Sequence, residues 1–165
     1  MTMENFWNFS VQHYSRPGVA DSCLALQDEH NLDVNLVLFC IWYGQNFGEL
    51  SQLQLDEVIS FSISWADNVV KPLRQARRWI KQHNEVLGIP GDSLEEFRSK
   101  VKRLELEAEH LQQDRLQQLL ALDKPDCLSA GESAVSVNLD SYLIKMGIGK
   151  NESVLQHLSI ISGEL

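Results

Sequence analysis

The sequence predicts an all-α fold, a single compact domain over residues 1–165 with six or seven helices. Three observations lead there. Every long segment spaces its apolar residues three and four apart, as one face of a helix requires, and none alternates with the period of two of a half-buried strand. Leu36 to Tyr43 is apolar at every position, as expected of a helix buried on all sides. A chain of 165 residues, 44% hydrophobic and 22% charged, can bury roughly 70% of its unfolded surface, enough for a core without disulfide or metal.

The elements follow in order. From Glu4 to Tyr14, the groups Phe6, Trp7, Val11 and Tyr14 share a face with Met3 and Ser10. Ser15-Arg16-Pro17-Gly18 breaks this helix, and Pro17 suits the first turn of the next. That helix runs to about His30, with Val19, Cys23, Leu26 and His30 along one seam and Asp28 and Glu29 facing outward. Asp33 is the expected N-cap of the central helix, about 34–43, and Gly44 and Gly48 mark its end. Its run begins at Val34 and no neighbouring segment offers a strand partner, which favours helix over buried strand.

A second long stretch covers Asp56 to His83. Pro72 within it has no N–H and crowds the carbonyl of Asn68, so a kink is expected near Val70-Lys71. After the loop Leu87-Gly88-Ile89-Pro90-Gly91, Ser93-Leu94-Glu95-Glu96 spells a capping box. It opens one long helix, about 93–122, whose seam is Leu94, Phe97, Val101, Leu104, Ala108 and Leu111; Arg115 and Gln118 break that register. Such a helix is about 45 Å long, against a body about 40 Å across, so it fits along the domain. Lys124-Pro125 stops it. Residues 129–137 read as a linker before two short helices, Asn138–Met146 and Asn151–Ser162, each opened by an asparagine cap.

With 23 acidic and 14 basic residues the net charge is -9, which disfavours a general nucleic-acid binder. The start, Met1 to Phe6, has neither the basic nor the apolar region of a secretory signal. The longest apolar run falls far short of the roughly 20 residues of a membrane span. Cys23, Cys40 and Cys127 are odd in number and lack the Cys-x-x-Cys spacing. A reduced, cytoplasmic protein is expected, with Cys23 and Cys40 buried and Cys127 the reactive thiol.

The strongest local signal is Lys71, Arg74, Arg77, Arg78 and Lys81, a stretch without an acid. On a helix these five cations occupy an arc of about 120°, opposite Val69, Leu73, Ala76 and Ile80. A basic stripe in an acidic protein suggests a docking face for an acidic macromolecular partner. It could equally be a solvated face paired with the chain's own Glu95, Glu105 or Glu109. A second cluster, Gln27, Asp28, Asp33 and Asn35, flanks a helix–helix turn; such groups line a pocket or merely cap and brace the backbone.

Other chemistry finds little support. Glu107-x-x-His110 has the spacing of di-iron bundles, but no second copy and no His-x-x-x-His accompany it, so no metal and no cofactor are expected. There is no nucleophile elbow, P-loop or dinucleotide fingerprint, hence no catalytic residue to name. Trp7, Trp42, Trp65 and Trp79 sit in apolar helical patterns and are expected in the core.

Tyr14-Ser15-Arg16-Pro17-Gly18-Val19, Cys23-Leu24-Ala25-Leu26-Gln27-Asp28 and Asp33-Val34-Asn35-Leu36, with Pro72-Leu73-Arg74 and Arg77-Arg78, resemble a family of small uncharacterised proteobacterial proteins. The likeness covers about the first half of the chain and continues weakly through Glu105-Leu106-Glu107-Ala108-Glu109. It implies a bacterial cytoplasmic protein without an assigned activity, and it singles out the stripe and the Gln27-to-Asn35 turn. The leading expectation is therefore a binding or regulatory module that docks an acidic protein through Lys71, Arg74, Arg77, Arg78 and Lys81. The alternative is a small-molecule or metal-dependent enzyme with an inter-helical pocket near Asp28, Asp33, Asn35 and Glu109. A homo-oligomer joined through Leu94, Phe97, Val101 and Leu104 is a third possibility.

Overall fold

The computed structural model describes residues 5–120 and 130–163. Among them there is no strand. The helices are α1 (Phe6–Tyr14), α2 (Val19–His30), α3 (Val34–Asn46), α4 (Gln52–Trp65), α5 (Lys71–His83), α6 (Gly91–Leu120), α7 (Glu132–Met146) and α8 (Glu152–Ser162). A π-helical turn, Ala66–Val70, joins α4 to α5 without a break, so the described residues form seven continuous rods. None is long and apolar enough to cross a membrane.

The all-round apolar helix is the centre, as its sequence demands: every residue from Leu36 to Gly44 is buried. Asp33 caps it, its Oδ1 accepting from the Asn35 N–H at 2.9 Å. Gly44 does not end it. The helix continues to Asn46, and Gly44 is where α7 crosses, a Cβ there standing 2.7 Å from the Val135 nitrogen. Gly131 N–H donates to the Gly44 carbonyl at 2.9 Å.

The expected linker over 129–137 is corrected by α7, which begins at Glu132; only Ala130 and Gly131 of the described residues precede it. Asn138 is no cap. It lies mid-helix, 1% exposed, its Oδ1 accepting from the Leu50 N–H at 2.7 Å and its Nδ2 donating to the Gly48 carbonyl at 3.1 Å. Its side chain does bond backbone, as a cap would, but the backbone of the distant segment that follows α3. Asn151 caps α8 as expected, accepting from the Val154 N–H at 2.9 Å.

The second rod starts earlier than Asp56. Ser51 and Gln54 exchange reciprocal side-chain-to-backbone bonds, a capping box ahead of Gln52. At the far end the π turn absorbs Pro72: Lys71 N–H reaches back to the Ala66 carbonyl, and the ladder widens where a proline would clash with it. α6 likewise starts two residues before Ser93, with Leu94 N–H donating to the Pro90 carbonyl at 3.0 Å. Its predicted seam divides. Leu94, Val101 and Ala108 are buried, whereas Phe97, Leu104 and Leu111 are each more than half exposed.

The main core gathers Phe6, the buried side of α2, Leu36 to Tyr43 of α3, Leu55 and Val58, Leu116 and Leu120, and the inner faces of α7 and α8. Between Phe61 and Leu116 no residue joins it. α5 packs chiefly on α6, and Ile80, Leu94 and Val101 are buried within that pair, outside the main cluster. The α5–α6 hairpin is thus an arm with its own small interior. Of the four tryptophans only Trp42 is a core residue. Trp7 stacks on His110, Trp65 donates to the Ala108 carbonyl at 2.9 Å, and Trp79 is half exposed beside His83. Cys23 and Cys40 are buried and unbridged, and burial pushes both thiols up to about 12; Cys127 lies outside the described residues.

Candidate ligand cleft

A half-open cleft of about 1010 Å³ lies between α1, α2, the α4–α5 rod and α6. The two clusters that the sequence kept apart meet in it. Lys71, Arg74, Arg77 and Arg78 line it from the rod, and Gln27, Asp33 and Asn35 from the α2–α3 turn. Asp28 pairs with Arg78 at 3.1 Å, and Lys81 stands outside.

Four of the five stripe cations, all but Lys81, are paired with the chain's own acids. Arg74 Nε donates to Glu105 at 2.8 Å and its Nη2 to Glu109 at 2.7 Å. Arg77 Nε donates to the other Glu105 oxygen at 2.5 Å, and Lys71 meets Asp67 at 2.6 Å. Glu105 is 6% exposed, so its charge is tolerable only because two guanidiniums bind it. Burial alone would raise its carboxyl, but Arg77 and Arg74 outweigh that and hold it below the usual range. Glu109, one turn on, goes the other way: burial raises it, with Arg74 opposing only in part and Glu105 adding to the push.

Below these pairs lies a buried amide–carboxylate network. Asp33 Oδ2 accepts from Ser62 Oγ and from Gln112 Nε2, each at 2.7 Å. Gln112 Oε1 accepts from Asn35 Nδ2 at 2.8 Å, and Asn35 Oδ1 accepts from Gln113 Nε2 at 2.7 Å. The chain of bonds stops at Gln113 Oε1, which is buried and has no partner among the described residues. Ser10 Oγ, on α1, is in the same condition. Both residues line the cleft. Opposite this polar floor are Val11, Tyr14, Leu24, Ile63 and Leu106, apolar side chains left substantially exposed along the cleft walls.

Ser10, Ser62, Gln112 and Gln113 were not singled out as site residues by sequence reasoning. A signal existed for one of them: along the buried line Val101, Glu105, Ala108, Gln112, Leu116 of α6, two positions are polar, and a polar residue on a buried stripe needs a partner. The other chemistry weighed from the sequence does not gather here. Glu107 is exposed, His110 stacks on Trp7, and among the described residues no group of three His, Cys, Asp or Glu side chains is placed to hold a metal ion.

No curated protein and no solved structure matches the chain. A family model described as "protein of unknown function (DUF2390)" matches residues 5–116, a span that holds α1 to α5, most of α6 and all the cleft residues named above. On that match, the chain belongs to the DUF2390 family of proteins of unknown function.

Proposed function

We propose that the protein is a small-molecule-binding protein whose site is the cleft between α1, α2, the α4–α5 rod and α6. One observation carries the reading: a single concavity brings together five exposed apolar side chains and, just beneath its wall, two buried polar atoms without partners, Ser10 Oγ and Gln113 Oε1. Leaving a buried acceptor unmade costs about 1–3 kcal/mol, a cost removed when the side chain shifts to meet the donor of a bound ligand. The volume suits a ligand of ordinary metabolite or cofactor size.

The alternative of an acidic macromolecule docked on the stripe has less to draw on. Arg74 and Arg77 are occupied by Glu105 and Glu109, which leaves Lys81 and the exposed side of Arg78 to receive it.

N-phenyl-1-naphthylamine, a neutral apolar fluorophore with one N–H donor, tests the reading. Saturable binding of one probe per chain is expected, with energy transfer from Trp7, which lines the cleft. Leu24→Arg should abolish it; Leu24 is 45% exposed, so the fold tolerates the change. Absence of saturable binding, or binding indifferent to Leu24→Arg in a chain of unaltered circular dichroism, would refute the cleft as the site.

A further inference from the structure

The cleft has a direction. Lys102, Leu106, Glu109 and Gln113 succeed one another three and four residues apart on one face of α6, and all line it. From Lys102 to Gln113 is about 16 Å along the helix axis. At the Gln113 end a hydrogen-bond acceptor without a donor lies just beneath the wall. The other end presents Lys102 and Arg103, both exposed and neither in an ion pair with any described residue. Between them Arg74 and Arg77 are neutralised by Glu105 and Glu109, while Val11, Leu24 and Leu106 offer apolar surface.

The lining as a whole has six cationic side chains and four carboxylates, in a chain whose net charge is -9. Local charge of the opposite sign to the whole molecule, set in a concave low-dielectric wall, concentrates anions there. A neutral ligand would find no use for the two unpaired cations. A cationic one would be repelled by them.

We propose that the ligand is an elongated, single-chain amphiphilic anion: its carboxylate or phosphate lies at Lys102 and Arg103, its apolar body runs over Val11, Leu24 and Leu106, and a hydroxyl or amide N–H at its far end donates to Gln113 Oε1 once that side chain shifts toward it. The proposal rests on the reading of the cleft as a small-molecule site. It goes beyond that reading by fixing the ligand's charge, shape and polar far end.

The test is displacement of N-phenyl-1-naphthylamine from the full chain, below micelle-forming concentrations, by four compounds. These are ω-hydroxydodecanoate, ω-hydroxydodecyl phosphate, dodecanediol, which lacks the anion, and dodecanoate, which lacks the far donor. Both hydroxylated anions should displace the probe at least about tenfold more tightly than dodecanediol, the difference of one charge-assisted contact worth about 1.4 kcal/mol. Lys102→Gln combined with Arg103→Gln should erase that preference and leave the binding of the neutral probe unchanged. Gln113→Leu should erase the preference for ω-hydroxydodecanoate over dodecanoate. Dodecanediol matching the hydroxylated anions, or an anion preference that survives the double variant, would overturn the proposal with the cleft intact. Dodecanoate matching its hydroxylated form in the parent protein would overturn the far-end contact. A probe that never binds refutes the cleft itself, so the two failures are told apart.

Discussion

Replacing Glu105 by alanine should be among the most damaging single changes on α6. The carboxylate is 6% exposed and takes Arg74 Nε at 2.8 Å, Arg77 Nε at 2.5 Å and Arg77 Nη2 at 3.2 Å. Its removal leaves two guanidiniums in a poorly solvated wall. Breaking one side of a buried pair costs about 3–5 kcal/mol. Here the arginine side chains keep 17% and 22% of their exposure, and Arg74 retains Glu109. We therefore expect about 2–3 kcal/mol. For a domain of this size that lowers Tm by about 5–10 °C.

Urea unfolding of the parent, Glu105→Ala and Glu105→Ala/Arg77→Ala measures it. The double variant should recover part of the loss, because it removes one orphaned charge. The exposed pair Glu95–Arg98 supplies the control, and Glu95→Ala should unfold like the parent. The acid limb gives a second check. Because the folded pKa of Glu105 is lowered, its stabilisation is present above the unfolded value of about 4.3 and is lost as pH falls through the folded value. The gap between the parent and Glu105→Gln should close over that acid range. A Glu105→Ala protein within about 0.5 kcal/mol of the parent would mean that the ion pairs do not exist as drawn.

Three further outcomes are expected. Gly44→Ala should destabilise by about 1–3 kcal/mol in urea unfolding, since its methyl would fall 2.7 Å from the Val135 backbone, which cannot move without separating α3 from α7. His13, buried on α1 and bonded through Nε2 to the Ile161 carbonyl, has its pKa lowered chiefly by burial. The neutral form is therefore the folded one, and stability should fall as pH drops from about 6.5 through the folded value. His13→Gln should flatten that slope in pH-dependent thermal melts. Cys23 and Cys40, with thiols raised to about 12, should be alkylated at pH 8 only as fast as the chain unfolds, and rapid labelling of either in the folded protein would contradict their burial.

What was legible in the sequence was whatever local periodicity controls. Asp33, the all-apolar run of α3 and the Asn151 cap are short-range devices, and each stands where its residues put it; the irregularity expected ahead of Pro72 takes the form of a π turn in an unbroken rod. Asn138 and Gly44 were misread because their partners are remote: the backbone after α3 for one, Val135 for the other. An asparagine that caps and an asparagine that clasps a distant segment are indistinguishable without that segment. The stripe could be read, but not its pairing, since Arg74 lies 31 residues from Glu105 and Arg78 lies 50 from Asp28. The meeting of the stripe with the Gln27-to-Asn35 turn is likewise a product of how α2, α5 and α6 pack.

The division of α6 between the main core and the hairpin gives one helix two stabilities. Its last turns, at Leu116 and Leu120, belong to the main cluster and can open only when the whole domain does. Its first turns, at Leu94 and Val101, are held mainly by α5 and can be released by a smaller, sub-global opening. Lys102 and Arg103 stand on the weaker stretch, Gln112 and Gln113 beside the stronger. Anything that spans the cleft therefore bridges two cooperative units, and its binding free energy is added to the opening cost of the weaker one. Occupancy then registers as slowed amide exchange in α5 and the start of α6, far along the helix from the core that fixes its other end.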